Sequence, residues 1–472
     1  MSESFALAQQ RLLHQYWGAQ FQLRGEQPGV VEAIAQGRDV LALLPTGEGK
    51  SLCFQLGGLL RPGIKLVVSP LIALMQDQVA QLARRQVPVW HLQGGLKPHQ
   101  RQQLLRQALQ QQGFIYLSPE QLLSSETRRF FQAHPPGLVV IDEAHCISQW
   151  GHDFRPAYRQ VAAFVQGLPE RPPMAAFTAT APPRVAEDIA QLLALQNPYR
   201  VKGIPIQPFI HLAVKRLWTP AGKYRALQQA LQAKTLIYAR TRQACEDLAQ
   251  RLADDGRAVA VFHAGKSSAV RAQLLQQFVQ ASDLCMVATK AFGMGIDIKD
   301  IQRVIHWQLP ESLSAYVQEV GRAGRDRVTR ASGVLLALRG ESWPDPGLED
   351  DRVQLFVRQV LTQARWSLPA FQHRYQWTLN DLNLLLLPLV LANHVEIQQD
   401  FVSLRQVLSR RELTGLLRGH VRDLQRQRKV QQREMQHFVT ARGCRRVFLY
   451  RVFDQPLPDQ GCGQCDHCQV LT

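Results

Sequence analysis

The chain has 472 residues, enough for about three domains at roughly 150 residues each, and its 46% hydrophobic content lets each bury a core. A formal net charge of +17 favours a polyanionic partner, because clustered Lys and Arg neutralise phosphates and release condensed counterions. The longest apolar stretch, residues 384–392, falls far short of the roughly 20 residues that span a bilayer, and the polar N-terminus lacks the basic and apolar regions of a secretory signal. The expectation is therefore a cytoplasmic protein without a membrane partner.

From 38 to 198 the chain alternates short β-branched runs (DVLALL, KLVVSP, LVVIDE, MAAFTAT) with Gln-rich amphipathic stretches, the pattern of a parallel sheet with crossover helices. The first run leads into Pro45, Thr46, Gly47, Glu48, Gly49, Lys50 and Ser51. A strand, a Gly-containing loop and a helix in that order turn backbone N–H groups and a helix N-terminus toward phosphates. Lys50 would reach the β and γ phosphates and Ser51 would hold Mg²⁺, although Leu44 stands where the full phosphate-loop pattern has its first Gly. About ninety residues on, LVVIDE ends an apolar run in Asp142 and Glu143, carboxylates placed to bind Mg²⁺ and activate the attacking water.

A Pro-containing stretch, 197–208, reads as a hinge, after which the alternation restarts with KTLIYAR, AVAVFHA, LCMVATK, RVIHWQL and GVLLAL. Two α/β lobes with a ligand cleft between them follow. In the second lobe, Arg322 and Arg325 are three apart on one predicted face, where they suit either surface ion pairs or arginine fingers for a transferred γ phosphate. Near Pro344 the alternation stops. A helix near 351–364, then SLPAFQHRYQ and LNDLNLLLLPLVLANHVEI, fit either a helix-turn-helix or winged-helix unit or a helical packing spacer. Between 405 and 451 Arg is dense around Leu417, Val421, Leu424, Met435 and Phe438, a helical pattern whose basic face is either solvated or tracks phosphates.

Cys53, Cys146, Cys245 and Cys285 are scattered and read as core thiols in a reducing compartment. Cys444, Cys462, Cys465 and Cys468 crowd the C-terminus at spacings that suit a closed tetrahedral Zn²⁺ site, which needs no contribution from His467.

From 21 to 326 the chain resembles the RecQ branch of superfamily 2 helicases. The segment 69–79 (SPLIALMQDQV) is similar to a strand-contacting motif, 118–120 to the next nucleic-acid motif, and 177–181 to the motif that links hydrolysis to movement. Residues 235–242 and 288–300 resemble motifs of the second lobe. The stretch 144–156 resembles the family's aromatic-rich loop. There Trp150, His152, Phe154 and Arg155 offer a stacking platform for DNA bases beside the acidic pair. Phe21, Arg24 and Gln27 look like the family's adenine-recognition motif, which implies ATP. The cysteine segment is similar to the RecQ zinc-binding subdomain.

Three features depart from the family pattern. Glu48 replaces a usually small residue in the phosphate loop, the spacing between Gly18 and Arg24 is one residue longer than typical, and Gln207, Pro208 and Phe209 stand where the family often carries Arg-Pro-Asn.

The resemblance implies an α/β fold of two RecA-like parallel-sheet lobes (1–200 and 201–345), a helical or winged-helix-like insertion (346–411) and a four-cysteine zinc-binding helical module (412–472), a short form without the C-terminal accessory domain. It implies a chromosome-associated, ATP- and Mg²⁺-dependent 3′-to-5′ DNA helicase of recombination, repair and replication, with structural Zn²⁺. The expected partners are single-stranded and tailed duplex DNA and a single-stranded-DNA-binding protein, and the expected state is a monomer. The alternatives are a single-stranded-DNA translocase that does not unwind, a passive nucleic-acid-binding scaffold with a weakened ATP site, and an enzyme acting on RNA.

Overall fold

The computed structural model describes residues 3–45, 47–148, 156–179, 181–231, 234–293, 298–326, 330–342, 350–377, 379–392, 394–398, 401–406, 408–456 and 461–468. The first sheet contains β1 (Val40–Leu43), β2 (Lys65–Val68), β3 (Val89–His91), β4 (Phe114–Leu117), β5 (Leu138–Ile141), β6 (Met174–Thr178) and β7 (Tyr199–Lys202), all parallel, in the order β3-β4-β2-β5-β6-β1-β7. Strand alternation sends Leu41, Leu43, Val139 and Ile141 into one core and Val40, Ala42, Leu138 and Val140 into another, on opposite faces of the sheet. Helices cover both faces, which is why the central strands read as unbroken apolar runs.

The stretch 197–208, expected to be a hinge, holds β7 instead. Val201 is buried while Arg200 and Lys202 are exposed, and the strand pairs with β1 from Val40↔Tyr199 onward. The connection between the sheets is thus only 203–209. The second sheet follows with β8 (Ile210–Leu217), β9 (Lys234–Tyr238), β10 (Val259–Phe262), β11 (Leu284–Ala288), β12 (Arg303–His306) and β13 (Ala331–Leu338), again parallel, in the order β10-β11-β9-β12-β13-β8.

Beyond it, helices Asp350–Thr362, Leu368–Tyr375 and Leu379–Leu391 pack with a small antiparallel sheet of β14 (Arg365–Ser367), β15 (Val395–Gln398) and β16 (Phe401–Leu404), in the order β14-β16-β15. The region is therefore less purely helical than its Leu-rich sequence suggests. Phe356, Trp366, Phe371 and Trp377 form an aromatic core there, and helix Leu379–Leu391 packs on helix Pro156–Gln166 of the first lobe.

Helix Arg410–Thr440 has 31 residues, so it is about 46 Å long at 1.5 Å per residue. Ser409 caps it, accepting from the Glu412 N–H while the Glu412 carboxylate accepts from the Ser409 N–H. Its first turns bury Leu413 and Leu417 in the aromatic core, and its last turns bury Met435, Phe438 and Val439 in the core of the second sheet. Arg422, Arg426, Lys429 and Arg433 are exposed between these two anchors.

Candidate functional site

Because all strands of the first sheet are parallel, the C-terminal ends of β1, β2, β5 and β6 open on one edge, where ligands of such sheets bind. After β1 the chain turns through Gly47 (φ 88°) and Gly49 (φ 70°), left-handed conformations that a side chain would strain. Gly49 then caps helix Lys50–Leu59. A Cβ on Gly49 would also lie 2.5 Å from the end of the Gln27 side chain, which would have to move and give up its bond to the Glu48 carbonyl. The result is a helix N-terminus presented to the edge, an anion cradle by its geometry.

Lys50 Nζ lies 3.8 Å from Glu143 Oε1, which brings the loop after β1 to the acidic pair after β5. Asp142 is almost fully buried. It accepts from the Glu143 N–H at 3.0 Å and from the Ser69 hydroxyl at 3.4 Å. Burial, reinforced by the neighbouring Glu143 charge and opposed by Lys50, raises the Asp142 carboxyl above the usual carboxylate range. Glu143 adopts φ 49° and ψ 46°, a left-handed conformation rare outside glycine and of the kind that collects at functional positions. Asp142 and Ser51 offer hard oxygen donors, the ligand type that Mg²⁺ takes.

Several contacts carried no sequence signal. The Gln78 side chain donates to the Ser51 hydroxyl at 3.1 Å, so the segment 69–79 touches the phosphate loop. His145 Nδ1 lies 2.9 Å from Thr178 Oγ1 and 3.3 Å from Glu143 Oε2, joining the ends of β5 and β6. The Tyr158 hydroxyl donates to the Asp142 carbonyl at 2.9 Å, tying helix Pro156–Gln166 to the acidic pair.

Gln27 is buried and donates to the Glu48 carbonyl at 2.9 Å, whereas Phe21 and Arg24 are exposed. Pro45 is buried beside the linker at Gly203. Thr46, Trp150, His152, Phe154 and Arg155 lie outside the described residues. Arg322 and Arg325 are not on a helix face. Helix Leu313–Val320 ends before them at Gly321, and the following turn is stitched to the 299–301 loop by Gly324 N–H to Ile301 O and Asp326 N–H to Lys299 O. Arg322 is buried in the second lobe near Gly293.

A second site gathers Cys444, Cys462, Cys465 and Cys468, whose sulfurs all lie within 4.8 Å of one another. The Cys462–Cys468 and Cys444–Cys465 separations are 3.9 and 4.0 Å, close to the ~3.8 Å edge of a tetrahedron with Zn–S bonds of about 2.3 Å. Four sulfurs close the coordination sphere, which makes this a structural Zn²⁺ site. The module also completes the second sheet. Leu212 of edge strand β8 forms a parallel bridge with Cys465, its N–H bonding Gln464 O and its carbonyl accepting from the Asp466 N–H. The Asp466 carboxylate accepts from the Val214 N–H and pairs with buried Arg445.

Residues 24–189 match the DEAD/DEAH box helicase family, 222–327 the helicase conserved C-terminal domain and 398–469 the RecQ zinc-binding family. These matches define a two-lobed helicase with an attached zinc module. The chain is 35% identical over 482 residues to the ATP-dependent DNA helicase RecQ of Synechocystis, covering 97% of both chains. It is 39% identical to the probable ATP-dependent DNA helicase RecS of Bacillus subtilis over 70% of this chain and 66% of that one. The Mycobacterium smegmatis helicase Lhr, solved with ssDNA and AMP-PNP, shares the fold at 20% identity and a TM-score of 0.55, over 88% of this chain and 61% of that one. The chain belongs to the RecQ family of ATP-dependent DNA helicases. No described helix is long and apolar enough to cross a membrane.

Proposed function

We propose that this chain hydrolyses ATP to move 3′-to-5′ along single-stranded DNA and to unwind tailed duplexes. The observation that carries this reading is the meeting of Lys50 with the Asp142–Glu143 pair at the sheet edge, on the lobe that a second parallel-sheet lobe faces across a linker of only 203–209. Lys50 and the helix N-terminus hold the phosphates, and Ser51 and Asp142 hold Mg²⁺, whose charge offsets that developing on the γ phosphate. Glu143 orients the attacking water. Gln27 and Arg24 select the adenine. Closure of the cleft brings Arg322 and Arg325 toward the nucleotide.

Trp150, His152, Phe154 and Arg155 act as the DNA platform, and the Tyr158–Asp142 bond supports coupling to hydrolysis because it ties the helix that follows them in sequence to the acidic pair. The functional units are 1–200, 201–345, a helical or winged-helix-like insertion 346–411 and the zinc module 412–472. A cytoplasmic monomer acting on chromosomal DNA in recombination, repair and replication, alongside a single-stranded-DNA-binding protein, fits the basic charge.

A strand-displacement assay tests the reading. With ATP, a 3′-tailed duplex is expected to be unwound and a 5′-tailed one left intact. ATP hydrolysis with no strand displaced from either substrate would favour a translocase instead.

A further inference from the structure

Two of the departures from the family pattern, at Glu48 and at Gln207, meet in space. The Gln207 side chain donates to Glu48 Oε1 at 2.5 Å, joining the phosphate loop to the interlobe linker across 159 residues of sequence. Neither partner is set by the local chain. Glu48 lies between the two left-handed glycines of the loop, with its carbonyl held by Gln27. Gln207 lies in the linker, which runs alongside the loop: the Gly203 N–H bonds the Leu43 carbonyl at 2.7 Å, and a Cβ on Gly203 would meet Pro45 at 2.6 Å.

The linker is itself clamped from the far side. Buried Arg446, two residues beyond zinc ligand Cys444, donates to the carbonyls of Ile206, Pro208 and Ile210 at 3.1, 3.0 and 2.5 Å. The peptide unit before Gln207 is thus held by Arg446 and the one after it by the Ile210 N–H, which donates to the Gln207 carbonyl at 3.2 Å, so the side-chain amide is presented to Glu48 with little freedom left to lose.

A carboxylate in a phosphate loop opposes a triphosphate, since like charges close together in a partly desolvated site repel strongly. We propose that Gln207 is a positioning residue for the nucleotide site: it holds the Glu48 carboxylate on the linker, so that the loop accepts a polyphosphate despite carrying an acid. The contact also makes the linker a reporter of the loop, because any rearrangement of Glu48 on nucleotide binding changes a bond to the segment that joins the lobes. The inference rests on the reading of this loop as the ATP site.

A double-mutant cycle tests it, with binding of a fluorescent ATP analogue and DNA-stimulated hydrolysis as readouts. Gln207→Ala is expected to weaken nucleotide binding and raise KM roughly tenfold, the scale of a hydrogen bond to a charged group, with kcat little changed. In a Glu48→Ala background the same substitution is expected to do nothing, and Glu48→Ala alone is expected to bind at least as tightly as wild type. A merely structural Gln207 would give the same loss in both backgrounds, and that additivity would overturn the proposal while leaving the ATP site standing. If Lys50→Ala binds the analogue as tightly as wild type, the ATP-site reading fails and the proposal falls with it.

Discussion

The two parallel sheets are built alike and completed differently. The first is covered on both faces by helices of its own lobe, including Gln27–Ala35 and Lys50–Leu59 on one side and Pro156–Gln166 and Pro183–Leu192 on the other. The second has its own helices Pro220–Ala230 and Arg242–Asp254 on one face, but its other face shares a core with Met435, Phe438, Val439, Leu449, Phe453 and Cys465. Its edge strand β8 is also paired by the cysteine knuckle. The core of the lobe that carries the phosphate loop is thus covered from within that lobe, whereas the second lobe shares its core with a cysteine module more than a hundred residues away in sequence.

Zinc removal is the strongest way to break that contrast. Apparent binding energies of structural Zn²⁺ are about 10 kcal/mol or more, so chelation is expected to strip hydrogen-exchange protection from β8 and β13 while β1 and β5 keep theirs. Equal loss in both sheets would erase the distinction. Phe438→Ala comes next. This ring is fully buried, 5.1 Å from Tyr316 and 5.5 Å from Phe448, and its loss should cost about 3 to 5 kcal/mol, seen as a lowered unfolding midpoint for the second lobe alone.

The smallest expected effect is a pH dependence at His420. Burial, with Arg159 of the first lobe adding to it and Asp423 opposing, lowers its pKa from 6.5 to about 4. The unfolded chain therefore takes up the proton first as pH falls. Stability is full above about pH 6.5 and declines toward pH 4, and a His420→Gln variant is expected to flatten that decline in urea titrations. An identical slope in the variant would remove His420 from the account.

The parts of this molecule legible in its sequence are those where chemistry dictates residue type at neighbouring positions. The phosphate loop needs Gly47 and Gly49 for backbone reasons and Lys50 for charge, and the cysteine spacing is imposed by a tetrahedron. Strand β3 carries little sequence signal because it has only three residues, all half-buried, and β7 because Arg200 and Lys202 give it the polarity of a linker. Periodicity alone puts Arg322 and Arg325 on a helix face, because it does not mark the point where Gly321 ends the helix. The bonds from Gln78 to Ser51 and from Tyr158 to Asp142 join residues 27 and 16 apart, and the cover that the zinc module gives β8 spans more than 250 positions; no local pattern encodes such pairings.

ATP turnover measured with and without single-stranded DNA, in wild type and in Lys50→Ala, tests the central claim most directly. DNA is expected to stimulate the wild-type rate, and Lys50→Ala is expected to reduce that rate by about two orders of magnitude or more. Turnover that survives in Lys50→Ala, or a folded wild type that binds DNA and hydrolyses nothing, would contradict it.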